Sequence, residues 1–264
     1  MATVKEIYDA VDCFAPFSTQ MSFDNAGFLV GKADAEVTKV LVALDITLPV
    51  IQEAVDAGAQ LILSHHPVIF HPVKSILEGD PTGDKLTALI RHEIAAICAH
   101  TNLDIAVGGV NDKLAEALEL NKCEVFLPDG IDCEGRPFGL GRIGLTNDPY
   151  SLPEFAEKVK KNLHAAGVRF VDSGRPVFKV AVGGGSCGDL LHAAYEKGCD
   201  VLVTADVKYD VFLEAKALGM SLIDAGHFPT ENVVLPALCQ LVKEHRPDVE
   251  VLESKVHKEV FSCL

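Results

Sequence analysis

The segment Val37-Thr38-Lys39-Val40-Leu41-Val42 recurs as Val177-Phe178-Lys179-Val180-Ala181-Val182, and residues 54–64 recur as residues 194–204, both at an offset of 140. A constant offset across 28 positions leaves no insertion between the two blocks, so the same structural unit is expected twice. Each copy reads as an apolar β-rich run, a helix (about 50–58 or 189–198) ended by glycine, and a second apolar run that stops in a polar loop. Such alternation predicts parallel βαβ units. Helix–strand pairs then follow in both halves, at about 84–93 into 94–99 and 209–218 into 220–225. The expected fold class is α/β: two similar α/β lobes from an internal duplication, with a candidate site in the cleft between them. The expected domains are residues 1–126 and 127–264, with the C-terminal segment able to pack back on the first lobe. The turn formers from Leu127-Pro128-Asp129-Gly130 to Gly135-Arg136-Pro137 are expected to link the halves. Beyond them, a glycine-rich strand at 139–145, an amphipathic helix at about 152–165 and a closing strand near Val249–Leu252 are predicted. The first copy carries extra loop between Pro67 and Gly83.

A length of 264 residues suits two cores better than one. No apolar stretch approaches the ~18 residues needed to span a bilayer, and the N-terminus lacks a basic segment followed by an apolar one. A soluble cytoplasmic chain without membrane association is expected. Eight cysteines are scattered without C-x-x-C spacing and several lie in apolar runs, which predicts reduced, mostly buried thiols and argues against a thiolate zinc site. The net charge is −15 and no basic run exceeds Lys160-Lys161, so general nucleic-acid binding is disfavoured.

Three polar clusters sit at the ends of apolar runs: Ser64-His65-His66-Pro67, His100-Thr101-Asn102-Leu103-Asp104 and His227-Phe228-Pro229-Thr230-Glu231. Neighbouring strand side chains point to opposite faces, so two adjacent histidines are hard to explain as packing, whereas a loop can turn both toward one point. His65, His66, Asp104, His227 and Glu231 supply three imidazoles and two carboxylates, a donor set suited to borderline divalent ions. Five donors exceed the need of one tetrahedral ion, and two ions sharing the site, ~3.5–4 Å apart, are expected. Zinc, iron and manganese all fit. With Pro229 near the first helical turn, Glu231 is expected in that turn and His227 just outside it; a helix cap served by Thr230 and Glu231 is the alternative. His100 can ligate, support a ligand or donate a proton, and Asn102 is read as fixing the loop. Asp104 by itself also suits a turn or cap. His71 is read as an exposed loop residue, and His92, His164, His192, His245 and His257 as surface residues. Gly183-Gly184-Gly185-Ser186-Cys187-Gly188 is read as a tight strand-to-helix turn, and Asp24-Asn25-Ala26-Gly27 as a turn.

Six motifs occur here in the order found in the Nif-three-like family, whose members are often named GTP cyclohydrolase 1 type 2 homologues: Phe23-Asp24-Asn25-Ala26-Gly27, Leu44-Asp45-Ile46-Thr47, Ser64-His65-His66-Pro67, His100 to Asp104, Gly184-Gly185-Ser186 and Asp224 to Glu231. The resemblance spans essentially the whole chain. It implies two similar α/β lobes, a dinuclear metal centre between them held by His65, His66, Asp104, His227 and Glu231, and a ring-shaped homohexamer. This chain resembles the short form of the family. Phe23 stands where tryptophan is common and Cys187 where glycine is; within residues 204–210, Ala205 replaces an expected glycine and Asp210 an expected histidine. The function implied is a metal-dependent hydrolase acting on a small molecule, with a purine nucleotide such as GTP suggested by the family name. His100 and Glu231 are the candidate catalytic residues, and Lys74, Arg91 or Lys208 the candidates to meet a phosphate. The alternative is a non-catalytic metal-binding or protein-interaction role.

Overall fold

The two repeated blocks form parallel strand pairs in the same register. Val40 lies opposite Leu61 and Val42 opposite Leu63 in the first; Val180 lies opposite Val201 and Val182 opposite Val203 in the second, so the ladder itself repeats at 140. The computed structural model describes residues 1–264, and two units separate: residues 1–106 with 235–258, and residues 107–234 with 259–264.

In the first unit, a five-stranded sheet runs in the order Glu250–Glu253, Lys39–Ala43, Leu61–Ser64, Ala95–Cys98, Gly27–Val30. Its first four strands are parallel and the last is antiparallel. Helix Leu48–Ala57 begins where the Thr47 side chain accepts from the Val50 amide, and ends at Gly58, whose φ of 67° is the left-handed conformation glycine tolerates. Gly198 repeats this at 68° after helix Leu191–Glu196, which is preceded by a single 3₁₀ turn, Gly188–Leu190. The extra loop after Pro67 leads into helix Pro81–Arg91, capped by Asp80.

The second unit has a six-stranded sheet in the order Asn121–Ile131, Pro137–Tyr150, Val177–Val182, Val201–Thr204, Ser221–Asp224, Arg169–Val171. Its central strands bury both faces, which is why they read as unbroken apolar runs. Val180, Val182, Val201, Val203 and Ile223 pack with Phe155 and Leu114, while Ala181, Leu202 and Leu222, one step along each strand, pack with Leu190 and Met220.

The expected boundary after residue 126 differs from this division. Helix Val110–Ala117 joins the second unit through Leu114 and Ala115. The closing strand, predicted near 249–252, lies at Glu250–Glu253 and pairs with Lys39–Ala43, returning the C-terminal region to the first unit. The expected link at 127–137 is instead the tip of a hairpin. Its turn is closed by the Asp132 carboxylate, which accepts the amides of Glu134 and Arg136. Pro128 and Gly130 mark a shift in the ladder, since a proline has no N–H to give it. All eight cysteines are free thiols, four buried and four exposed, so burial is less general than expected. No helix is long and apolar enough to cross a membrane.

Candidate metal centre

In open α/β sheets the carboxyl ends of parallel strands are where side chains gather around a ligand. In the first unit, strand Leu61–Ser64 runs out into His65 and His66, whose amides still bond to the carbonyls of Ala43 and Leu44. Strand Ala95–Cys98 runs out into His100 and the short helix Thr101–Ile105 that carries Asp104. The rings of His65, His66 and His100 converge, with centroids 4.9, 5.2 and 5.5 Å apart, and one nitrogen of each lies within 4.8 Å of the others.

Hydrogen bonds fix the tautomers. His65 is fully buried and its Nδ1 lies 2.8 Å from the Ala99 carbonyl oxygen, which can only accept, so Nδ1 carries the proton. Its other nitrogen, Nε2, faces Asp104 Oδ1 at 3.6 Å. His66 Nδ1 contacts Asp45 Oδ1 at 2.8 Å and His100 Nδ1 contacts Asp24 Oδ1 at 2.7 Å. Asp24 also accepts from the Thr101 amide and hydroxyl. Burial pushes the Asp24 carboxyl up, but the bonds from His100 and Thr101 and the charge of His100 outweigh it and hold it well below the carboxylate range. For Asp45 burial acts in the same upward direction and is outweighed by hydrogen bonds from His257 and His66. Asn102 fixes the loop, accepting the His100 amide and donating to the Ala15 carbonyl.

In the second unit, strand Ser221–Asp224 leads through Gly226 into helix His227–Asn232. His227 is thus the first helical residue rather than lying outside the helix. Its Nδ1 lies 2.6 Å from Asp206 Oδ2 and its Nε2 lies 3.0 Å from Oε2 of the buried Glu231, one turn on. The cap alternative fails locally, because the Thr230 hydroxyl bonds back to the Gly226 and His227 carbonyls and Glu231 faces His227. The glycine run is the expected tight turn and also seats Glu231. Gly185 has φ 65°, and a Cβ there would lie 2.1 Å from Glu231 Oε1. The Gly185 amide donates to the Thr230 hydroxyl.

These arrangements fit a cation. His65 Nε2 with Asp104 Oδ1, and His227 Nε2 with Glu231 Oε2, each set an imidazole nitrogen beside a carboxylate oxygen, the mixed nitrogen and oxygen donor set that suits a borderline divalent ion. Behind the rings, Ala99 O, Asp45, Asp24 and Asp206 occupy Nδ1 and turn Nε2 toward the centre, as second-layer partners of metal-bound histidines do. Sequence reading missed Asp45 and Asp206 and took Asp24 for a turn residue. It also placed His257 on the surface, whereas its side chain is 6 % exposed and its Nε2 lies 3.0 Å from Asp45 Oδ2. His71 is exposed as expected and, with Phe70 and Lys74, lines an open cavity of about 350 Å³ in the extra loop. Asp210 is exposed at the start of helix Tyr209–Leu218.

The model of the family described as Duf34/NIF3 (NGG1p interacting factor 3) matches residues 2–260. A Clostridium perfringens protein named "GTP cyclohydrolase 1 type 2 homolog" is 34% identical over 263 residues, covering 99% of each chain. Among solved structures, a Bacillus cereus protein related to NIF3 superposes with a TM-score of 0.95 at 27% identity, covering 100% of this chain and 99% of that one. Staphylococcus aureus protein SA1388 superposes with a TM-score of 0.93 at 31% identity and the same coverage. With the family model spanning residues 2–260, nearly the whole chain, the chain belongs to the Duf34/NIF3 family.

Proposed function

We propose that the protein is a dinuclear metal-dependent hydrolase of a small molecule, in which His65, His66, Asp104, His227 and Glu231 hold two divalent ions. The observation that carries this reading is His65 Nε2 set 3.6 Å from Asp104 Oδ1, with His227 Nε2 likewise 3.0 Å from Glu231 Oε2: imidazole and carboxylate donors gathered at strand ends. Neither donor set alone completes the coordination of two ions, and imidazole with carboxylate suits zinc, iron or manganese. Bound ions would supply Lewis-acid activation of water and of the bond it attacks. The residues of the chain do the rest. Asp24 fixes the proton of His100 on Nδ1 and compensates positive charge on the ring, so His100 is placed to pass a proton to a leaving group. Glu231, buried beside Gly185, is held in one orientation.

The names of the relatives suggest a purine nucleotide such as GTP as substrate, and the family resemblance suggests a hexamer in the cytoplasm. The test is elemental analysis and turnover of the purified protein against nucleotide and phosphoester panels, alongside Glu231→Gln. Expected are two ions per chain and a rate that falls about 10–100-fold in the variant, as loss of a metal-supporting group does. Full occupancy with no turnover on any panel would replace the hydrolase by a metal-binding or interaction role. Absence of bound divalent metal would overturn both.

A further inference from the structure

The carboxylate of Asp45 is held from two sides. His66 Nδ1 meets Oδ1 at 2.8 Å and His257 Nε2 meets Oδ2 at 3.0 Å, although 212 residues separate His257 from Asp45. His257 lies on the tail after the last strand, and that tail is tied down. The Ser254 amide donates to the Val42 carbonyl, the Ser254 hydroxyl and the Lys255 amide donate to the Glu53 carboxylate, and the His257 amide donates to the Ser254 hydroxyl. The His257 side chain is 6 % exposed while Asp45 is 41 % exposed, so without the tail imidazole the carboxylate could turn to water.

We infer that His257 is a positioning residue for metal binding: it holds Asp45 in the rotamer that keeps the His66 proton on Nδ1 and so presents His66 Nε2 to an ion. The inference rests on the reading of His66 as a metal ligand and adds the C-terminal tail to what sets metal affinity. Loss of an outer partner of a ligating histidine costs about 10–100-fold in affinity, and His257 acts one bond further out, so its loss costs less.

Zinc affinity measured by chelator competition on the full chain tests this, with the melting temperature of metal-free protein as a fold control. Asp45→Ala is expected to weaken zinc binding about 10–100-fold. His257→Leu is expected to weaken it about 3–10-fold, and His257→Gln, which keeps an N–H donor, to restore it to within about 2-fold. Because His257 acts through Asp45, the double variant should bind no more weakly than Asp45→Ala alone. Unchanged affinity in His257→Leu, or additive losses in the double variant, overturns the inference. If His257→Leu lowers the metal-free melting temperature, Glu53→Ala takes its place, because it loosens the tail without touching Asp45; weaker zinc binding supports the inference and unchanged binding overturns it. His66→Ala separates the two readings. If it leaves zinc affinity intact, the metal site itself is wrong; if it abolishes binding while His257→Leu does not weaken it, only the role of the tail is.

Discussion

The chemistry of Asp24 is set by its neighbours. Its side chain is fully buried and takes hydrogen bonds from His100 Nδ1 and from the Thr101 amide and hydroxyl, and these partners hold its carboxyl below the ordinary range against the upward push of burial. A depressed folded pKa gives stability that is present above the unfolded value, about 3.9, and is lost as pH falls through the folded one. Asp24→Asn should therefore melt below wild type by about 5 °C at pH 5 and above, a gap that closes below about pH 4. Thermal melts across that range decide it; a gap that widens on acidification refutes the sign. The thiols supply a second test. Burial pushes Cys98 up to about 12 and Cys199 and Cys239 up to about 11, and Cys187 is buried as well, whereas Cys13, Cys123, Cys133 and Cys263 are exposed. A chromogenic disulfide reagent at pH 8 should titrate no more than four thiols per native chain and eight in denaturant. Rapid reaction of more than four would contradict the burial.

At the level of elements, two glycines in similar conformations do different work. Gly58 (φ 67°) ends a helix with nothing within 4 Å of a would-be Cβ, whereas Gly185 (φ 65°) has Glu231 Oε1 2.1 Å from that point. Gly58→Ala should cost about 1 kcal/mol, the price of an L residue in the left-handed region. Gly185→Ala should cost about 2–3 kcal/mol and weaken metal binding, because Glu231 must move as well as the backbone strain. Denaturant unfolding and chelator competition on both variants check this; equal costs with unchanged metal affinity would mean that Gly185 is only a turn. The same contrast explains what could be read from the chain. The strand pairs were legible because strands buried on both faces leave an apolar run, and the ligand clusters because each interrupts such a run with histidines. The hairpin at 121–150 was not, since its first strand exposes Asn121, Lys122 and Cys123 and its tip is made of turn formers that look like a linker. The roles of Asp24, Asp45 and His257 escaped because they depend on partners 76, 21 and 212 positions away; the motifs that contain Asp24 and Asp45 do not show which side chain each meets.

At the scale of the molecule, charge and metal chemistry meet. The chain carries a net charge of −15, and carboxylates flank the imidazoles of both donor sets, through Asp24, Asp45 and Asp104 in one unit and Asp206 and Glu231 in the other. Self-repulsion of this kind is relieved by any salt through screening, but an ion that ligates does so at far lower concentration and with a preference for type. Zinc or manganese at about 1,000 times its dissociation constant should stabilise by about 4 kcal/mol per site, roughly 8–16 °C for a protein of this size. Sodium chloride at the same concentration should give almost none of this, and magnesium, which prefers six oxygen ligands, much less. The proposed centre also predicts where the effect is lost. If the proposed five donors hold the ions, His65→Ala and Glu231→Gln should each remove most of the metal-induced shift, measured against the metal-free melting temperature of the same variant. Differential scanning calorimetry with and without metal reads both quantities. If either variant keeps the full shift, that residue is not a ligand and the proposed five-donor centre is ruled out.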